Sequence, residues 1–194
     1  MLAGISEILV ITRPEDLAQF QLLLGDGSRF GIQIEYKVQQ KASGIAEAFL
    51  IGESFIGDNS VCLILGDNIF HGSGLGRQLM DFTNPSGAHI FAYQVRNPSD
   101  YGVVEFDSTG IAISIEEKPD KPKSNQAVVG VYIYDDTVME KITTLQPSAR
   151  GEYEVTDLNN LYIQDGKCKN VTIEGWWIDA GTPDRIIELE KKLT

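Results

Sequence analysis

The sequence predicts an α/β fold, a mixed sheet flanked by helices, formed as a single domain over residues 1–194. Short β-branched runs alternate with helical stretches through the first 65 residues, the pattern of parallel strand–helix winding. After residue 86 the pattern changes to strand runs separated by a tight polar turn, which sets a hairpin into the same sheet. The chain has 194 residues, 42% apolar and 23% charged. That suits one core of ordinary domain size, with no repeat, linker or low-complexity tract to divide it.

Each element follows from its local pattern. Residues 7–12 (EILVIT) read as a strand, and Leu17, Phe20 and Leu24 recur at helical spacing between Pro14 and Gly25. Residues 34–38 alternate as a second strand, and residues 44–55 read as a helix. Residues 61–65 (VCLIL) are wholly apolar, as in a strand covered on both faces. Residues 89–95 form the next strand. Residues 102–106 and 111–117 flank the turn Asp107-Ser108-Thr109-Gly110, and residues 127–134 make a further apolar run. Asp135 is placed to cap a helix reaching about Thr144. Helix 155–164, strand 169–173 and an amphipathic helix 183–193 complete the chain.

Composition excludes several functions. The net charge is −12, with 28 acidic against 16 basic residues, so no nucleic-acid partner is expected. No apolar stretch approaches the ~20 residues of a membrane span, and Met1-Leu2-Ala3-Gly4 lacks the basic and apolar regions of a secretory signal. A cytoplasmic protein is therefore expected. Cys62 and Cys168 stand alone in strand-like runs, as buried or half-buried thiols rather than a disulfide or zinc site. His71 and His89 have no Ser, Cys or acid at motif spacing, which leaves a hydrolase triad unsupported. In Gly72-Ser73-Gly74-Leu75-Gly76 the next residue is Arg77 and no Gly-Lys-Ser/Thr follows, so dinucleotide and phosphate-loop readings fail. Trp176-Trp177 could stack on a base or sugar, or pack on a sheet face.

Ligands of open α/β sheets bind beyond the carboxyl ends of strands. Four polar segments stand there: Gly66-Asp67-Asn68, Ile178-Asp179-Ala180-Gly181, Glu116-Glu117-Lys118-Pro119 and Arg150-Gly151-Glu152. A carboxylate beside glycine can hold a hard cation such as Mg²⁺. Taken singly, each segment reads at least as readily as a turn, a helix cap, a polar loop or a solvated strand end, and Gly66-Asp67-Asn68 more often as a turn.

Taken together, and in order, they resemble the glucose-1-phosphate thymidylyltransferase family. The resemblance rests on Leu65-Gly66-Asp67-Asn68-Ile69-Phe70, Tyr101-Gly102-Val103-Val104-Glu105-Phe106, Glu116-Glu117-Lys118-Pro119, Ala149-Arg150-Gly151-Glu152-Tyr153-Glu154 with Thr156-Asp157, and Trp177-Ile178-Asp179-Ala180-Gly181-Thr182. Tyr36-Lys37-Val38-Gln39, Gly44 and Glu47-Ala48-Phe49 extend it over essentially the whole chain. It implies the Rossmann-like nucleotide-diphospho-sugar transferase fold. It also implies formation of dTDP-glucose and pyrophosphate from dTTP and glucose 1-phosphate, for deoxysugar and polysaccharide synthesis. By the same resemblance Asp67 and Asp179 would hold Mg²⁺, and Lys118 and Arg150 would bind the sugar phosphate. Glu117, Tyr101 and Gly102 would orient glucose, Val128, Gly130 and Trp177 would line its pocket, and Gln39 and Gly44 would read thymine.

The chain departs from that pattern at its start. Members of the family open with a strand and a GGxGTR loop followed by a lysine, and neither is in this sequence. Residues 1–5 match the end of the helix that follows the loop. The expectation is a fold lacking its first βα unit, weak dTTP binding by this chain alone, and homo-oligomerisation through an uncovered strand edge. A UTP-using or other sugar-1-phosphate nucleotidyltransferase, and a non-catalytic sugar-phosphate-binding subunit, are the alternatives.

Overall fold

A computed structural model describes residues 3–72 and 74–193. The expected match of residues 1–5 to a helix end falls partly outside these residues, at Met1 and Leu2, as does Ser73 of the glycine-rich run.

The long apolar run becomes the spine of the molecule. Strand β8 (Gln126–Tyr134) is buried at every position after its first. It pairs antiparallel on one side with β5 (Ala88–Gln94). On the other it pairs with β3 (Val61–Ile64) and, at Ala127, with β6 (Gly102–Phe106). Strand β7 (Ala112–Glu117) continues from β6 as the expected hairpin, and β9 (Cys168–Thr172) runs parallel to β5 at the opposite edge. Because side chains alternate along a strand, β8 feeds two cores. Val128, Tyr132 and Tyr134 join Phe49, Ile142, Leu158 and Tyr162, which come from helices α2 (Glu47–Ile56), α4 (Val138–Ile142) and α5 (Val155–Gln164). Val129, Val131 and Ile133 face Phe91, Ile173 and Trp177, with Leu75 and Leu79 of α3 (Leu75–Met80) packed against them.

Two further strand pairs stand apart from this sheet. Strands β1 (Glu7–Thr12) and β2 (Gln33–Val38) pair in parallel, linked by α1 (Leu17–Leu24). Strands β4 (Asn68–His71) and β10 (Trp176–Asp179) form an antiparallel ribbon, and α6 (Pro183–Leu193) follows β10. Among the described residues β1 pairs only with β2, and β3 only with β8. No helix of the described residues is long and apolar enough to cross a membrane.

The structure corrects several expectations. Strand 61–65 ends at Ile64, is only half-buried, and pairs antiparallel, because its partner is the spine and not a parallel neighbour. The helix expected over 44–55 begins at Glu47. Gly44 has a positive φ of 97° and a Cβ there would sit 2.4 Å from the Tyr153 carbonyl oxygen, so the chain is still packed against Tyr153 and not yet helical at that point. The helix expected from Asp135 to Thr144 shortens to α4. The Asp135 carboxylate accepts from Thr137 N–H at the entry to α4, and also from Gly87 N–H before β5 and the Tyr162 hydroxyl of α5, tying the three elements together. Helix α1 has the expected period yet buries no residue. Both cysteines are free and half-buried, and burial pushes each thiol up to about 12.

Candidate active site

The β4–β10 ribbon brings two carboxylates together. Asn68 lies opposite Asp179 in the register, and the Ala180 N–H donates to the Asp67 carbonyl at 2.7 Å. A Cβ on Gly181 would lie 2.9 Å from Asp67 Oδ2 and 3.0 Å from Asp179 Oδ1, so both carboxylates converge on the space that glycine leaves open. Gly181 N–H also donates to Asp179 Oδ1 at 2.9 Å, fixing that oxygen. Among the described residues no group of three or more His, Cys, Asp or Glu gathers as a ready-made metal cage.

Asn68 joins this pair to the strand beneath it. Its Nδ2 donates to Asp67 Oδ1 at 2.8 Å, while its Oδ1 accepts from Gly130 N–H at 2.9 Å and from the Trp177 indole N–H at 2.7 Å. Gly130 permits this, since a Cβ there would fall 2.7–2.8 Å from the carboxamide atoms of Asn68. Val128 stands two residues earlier, on the same face of β8. Trp177 is buried, edge-on to Tyr101 at 5.4 Å between ring centres. A cavity of about 500 Å³ opens against Tyr101, Trp177 and Asp179, with Arg96, Arg185 and Lys192 among its walls. A cavity of about 510 Å³ at the ends of β5 and β9 holds none of the residues predicted for the site.

A second group forms at the ends of β6 and β7. Gly102 and Glu117 are register partners, and the buried Thr156 hydroxyl donates to Glu117 Oε2 at 2.7 Å. Lys118 follows immediately with φ 45°, the left-handed region in a non-glycine residue, and its N–H donates to the Tyr101 carbonyl. Strain of this kind, of order 1–3 kcal/mol, persists where surrounding structure imposes it. Arg150 grips Glu154 through two 2.9 Å contacts and lies 3.4 Å from Glu152 and 3.8 Å from Glu117. The Glu154 hydrogen bond holds the guanidinium above its usual range, and its side chain remains 43% exposed.

Gln39 and Gly44 occupy the loop after β2. Gln39 Nε2 donates to the Gly44 carbonyl and to Glu47. The loop is zipped to Tyr153, whose N–H donates to the Ser43 carbonyl at 2.7 Å and whose carbonyl accepts from Ala46 N–H at 3.1 Å. Tyr153 is three residues from Arg150, so the two loops share one anchor.

The residues expected to bind substrate or metal thus fall into three groups, at strand ends and adjoining loops, with Val128 and Gly130 inside β8. Sequence reasoning gave no role to Asn68, Thr156, Glu154, Gly181 or Glu47, although each lay inside a quoted motif. Adjacency to Asp67 and Asp179 was the available signal for Asn68 and Gly181. The other three act through contacts across 4 to 39 residues, which no local pattern displays.

The nucleotidyl transferase family model matches residues 1–194. Among curated relatives, glucose-1-phosphate thymidylyltransferase of Neisseria meningitidis serogroup A / serotype 4A is 53% identical, over 97% of this chain and 66% of its own length. That of Mycolicibacterium smegmatis is 52% identical over the same shares. The chain therefore spans just under two thirds of the length of these relatives. A crystal structure from Bacillus anthracis, provisionally described as a glucose-1-phosphate thymidylyltransferase in complex with a sucrose, superposes with a TM-score of 0.90 at 40% identity, covering 98% of this chain and 77% of that one. UDP-glucose pyrophosphorylase complexed with UDP-glucose superposes at 0.82 with 21% identity, over 100% and 82%, a likeness of fold alone.

Proposed function

Since this chain belongs to the nucleotidyl transferase family, and within it to the glucose-1-phosphate thymidylyltransferases, we propose that it serves the transfer of a thymidylyl group from dTTP to glucose 1-phosphate, releasing pyrophosphate. The observation that carries this reading is the convergence of Asp67 and Asp179 on the gap at Gly181.

Two carboxylates, with no third His, Cys, Asp or Glu gathered beside them among the described residues, suit Mg²⁺, which takes one or two carboxylates and fills its remaining positions with water and phosphate oxygens. When bound, the ion supplies charge neutralisation on the nucleotide phosphates. The protein's own share is positioning. Asn68 holds Asp67 and Trp177, and Thr156 holds the Glu117 carboxylate beside Gly102, where sugar hydroxyls would be oriented. Lys118 and the exposed part of Arg150 provide the cations for the sugar phosphate, charge-assisted contacts of the strong kind. A phosphomonoester with a second pKa near ~6 is already dianionic at neutral pH, so the attacking oxygen needs no protein base. That agrees with a site assembled without histidine. A cytoplasmic setting and a homo-oligomeric state belong to the same proposal.

The test is pyrophosphate release by the purified chain with Mg²⁺, glucose 1-phosphate and either dTTP or UTP. Release that prefers dTTP and is abolished in Asp67→Ala supports the reading. A folded chain that releases none with either nucleotide removes catalysis by this chain, and a preference for UTP replaces the base.

A further inference from the structure

Gln39 is held in one of its two amide orientations. Its Nε2 donates to the Gly44 carbonyl at 3.0 Å and to Glu47 Oε2 at 2.7 Å. A carbonyl and a carboxylate are both acceptors, so only the NH₂ end of the amide satisfies them, and the flipped amide would set oxygen against two oxygens. The Gln39 Oε1 must therefore point away from Glu47. It has no protein partner among the described residues and is not among the sealed, unbonded polar atoms. Gly44 is itself immobilised against Tyr153, and its N–H makes no hydrogen bond among the described residues. The loop thus offers one outward acceptor and one backbone donor.

Resting on the nucleotidyl transferase reading, in which Gln39 meets the base, we propose that Glu47 is the positioning residue that sets base choice. By holding the Gln39 carbonyl outward it selects a base whose ring nitrogen is an N–H donor flanked by carbonyls. Thymine and uracil carry such an imide edge. Cytosine presents an unprotonated ring nitrogen at that position, an acceptor facing an acceptor, and a site built to hydrogen-bond one pattern rejects the other because its polar group is left unpaired. Glu47 is half-buried in the first turn of α2, so its side chain is carried by a helix rather than by the loop it holds.

The test is binding of dTMP and of dCMP to the 194-residue chain by saturation-transfer NMR, for the natural sequence and for Glu47→Gln and Glu47→Lys. The natural chain is expected to favour dTMP by roughly tenfold or more, the discrimination of one well-placed hydrogen bond. In Glu47→Gln the side-chain amide meets either orientation of Gln39 and only the Gly44 carbonyl is left to hold the NH₂ end inward, so the ratio falls with the unfolding midpoint unchanged. In Glu47→Lys a donor draws Gln39 Oε1 inward, and the preference moves towards dCMP. An unchanged ratio in both variants, or no preference in the natural chain, overturns the proposal. Glucose 1-phosphate titrated in parallel separates the two levels. If it binds while neither mononucleotide does, the role of Glu47 falls and the family reading of the sugar-phosphate half stands. If nothing binds, both fall.

Discussion

Asn68 makes three hydrogen bonds, to Asp67, Gly130 and Trp177, and truncating it leaves a backbone N–H and an indole N–H unpaired. Asn68→Ala is expected to cost about 1–3 kcal/mol, the usual penalty for orphaning buried donors, read from urea unfolding followed by tryptophan fluorescence. Lys118 gives a prediction of opposite sign. Its left-handed backbone is imposed on a residue with a Cβ, so Lys118→Gly should raise stability by about 1 kcal/mol while weakening glucose 1-phosphate binding. Lys118→Ala should weaken binding equally without the gain in stability. Thermal unfolding beside calorimetric titration of glucose 1-phosphate measures both, and a gain common to both variants would refute the backbone explanation. Charge, glycine placement and motif order made Asp67, Asp179, Lys118 and Arg150 legible in the sequence. Asn68 was not, because its role depends on β8 passing beneath it, 62 residues further along the chain.

At the scale of elements, Val155–Gln164 and Pro183–Leu193 match the helices read from sequence, since a full helical period was present in each. The four-residue strands β4 and β10 and the six-residue helix α3 are too short to show a period, so the ribbon that pairs the carboxylates was not readable as a ribbon. The packing of α3 on the sheet also carries a pH signature. His89 of β5 is buried with its ring 4.6 Å from Phe82, just beyond α3, and its Nδ1 has no hydrogen-bond partner among the described residues. Burial first, then Lys169, lowers its pKa from the ordinary 6.5, against a smaller opposing effect of Asp135. The unfolded chain then binds the proton more readily than the folded one. His89 stability is therefore fully present above about pH 6.5 and is lost as pH falls from there through the lowered folded value. Urea unfolding across that window should show the decline, and His89→Phe should flatten it.

For the whole molecule, the gap between the β1–β2 pair and the main sheet leaves β1 and β3 each paired on one side among the described residues. Leu22 and Leu23 of α1 and Ile64 of β3 are exposed. Unpaired strand edges beside apolar surface promote association, so light scattering should report species heavier than 21.4 kDa that grow with concentration. Leu22→Glu with Leu23→Glu should reduce them, and a lone monomer at every concentration would contradict this. The Tyr153 anchor has a thermodynamic consequence of its own. The loop of Gln39 is hydrogen-bonded to Tyr153, three residues along the chain from Arg150, so ordering either loop lowers the entropy left to be lost by the other. Glucose 1-phosphate should then tighten pyrimidine binding, and linkage requires that the pyrimidine tighten glucose 1-phosphate by the same factor. The sugar-phosphate half and the base half of the site would in this way report on each other through a single tyrosine backbone.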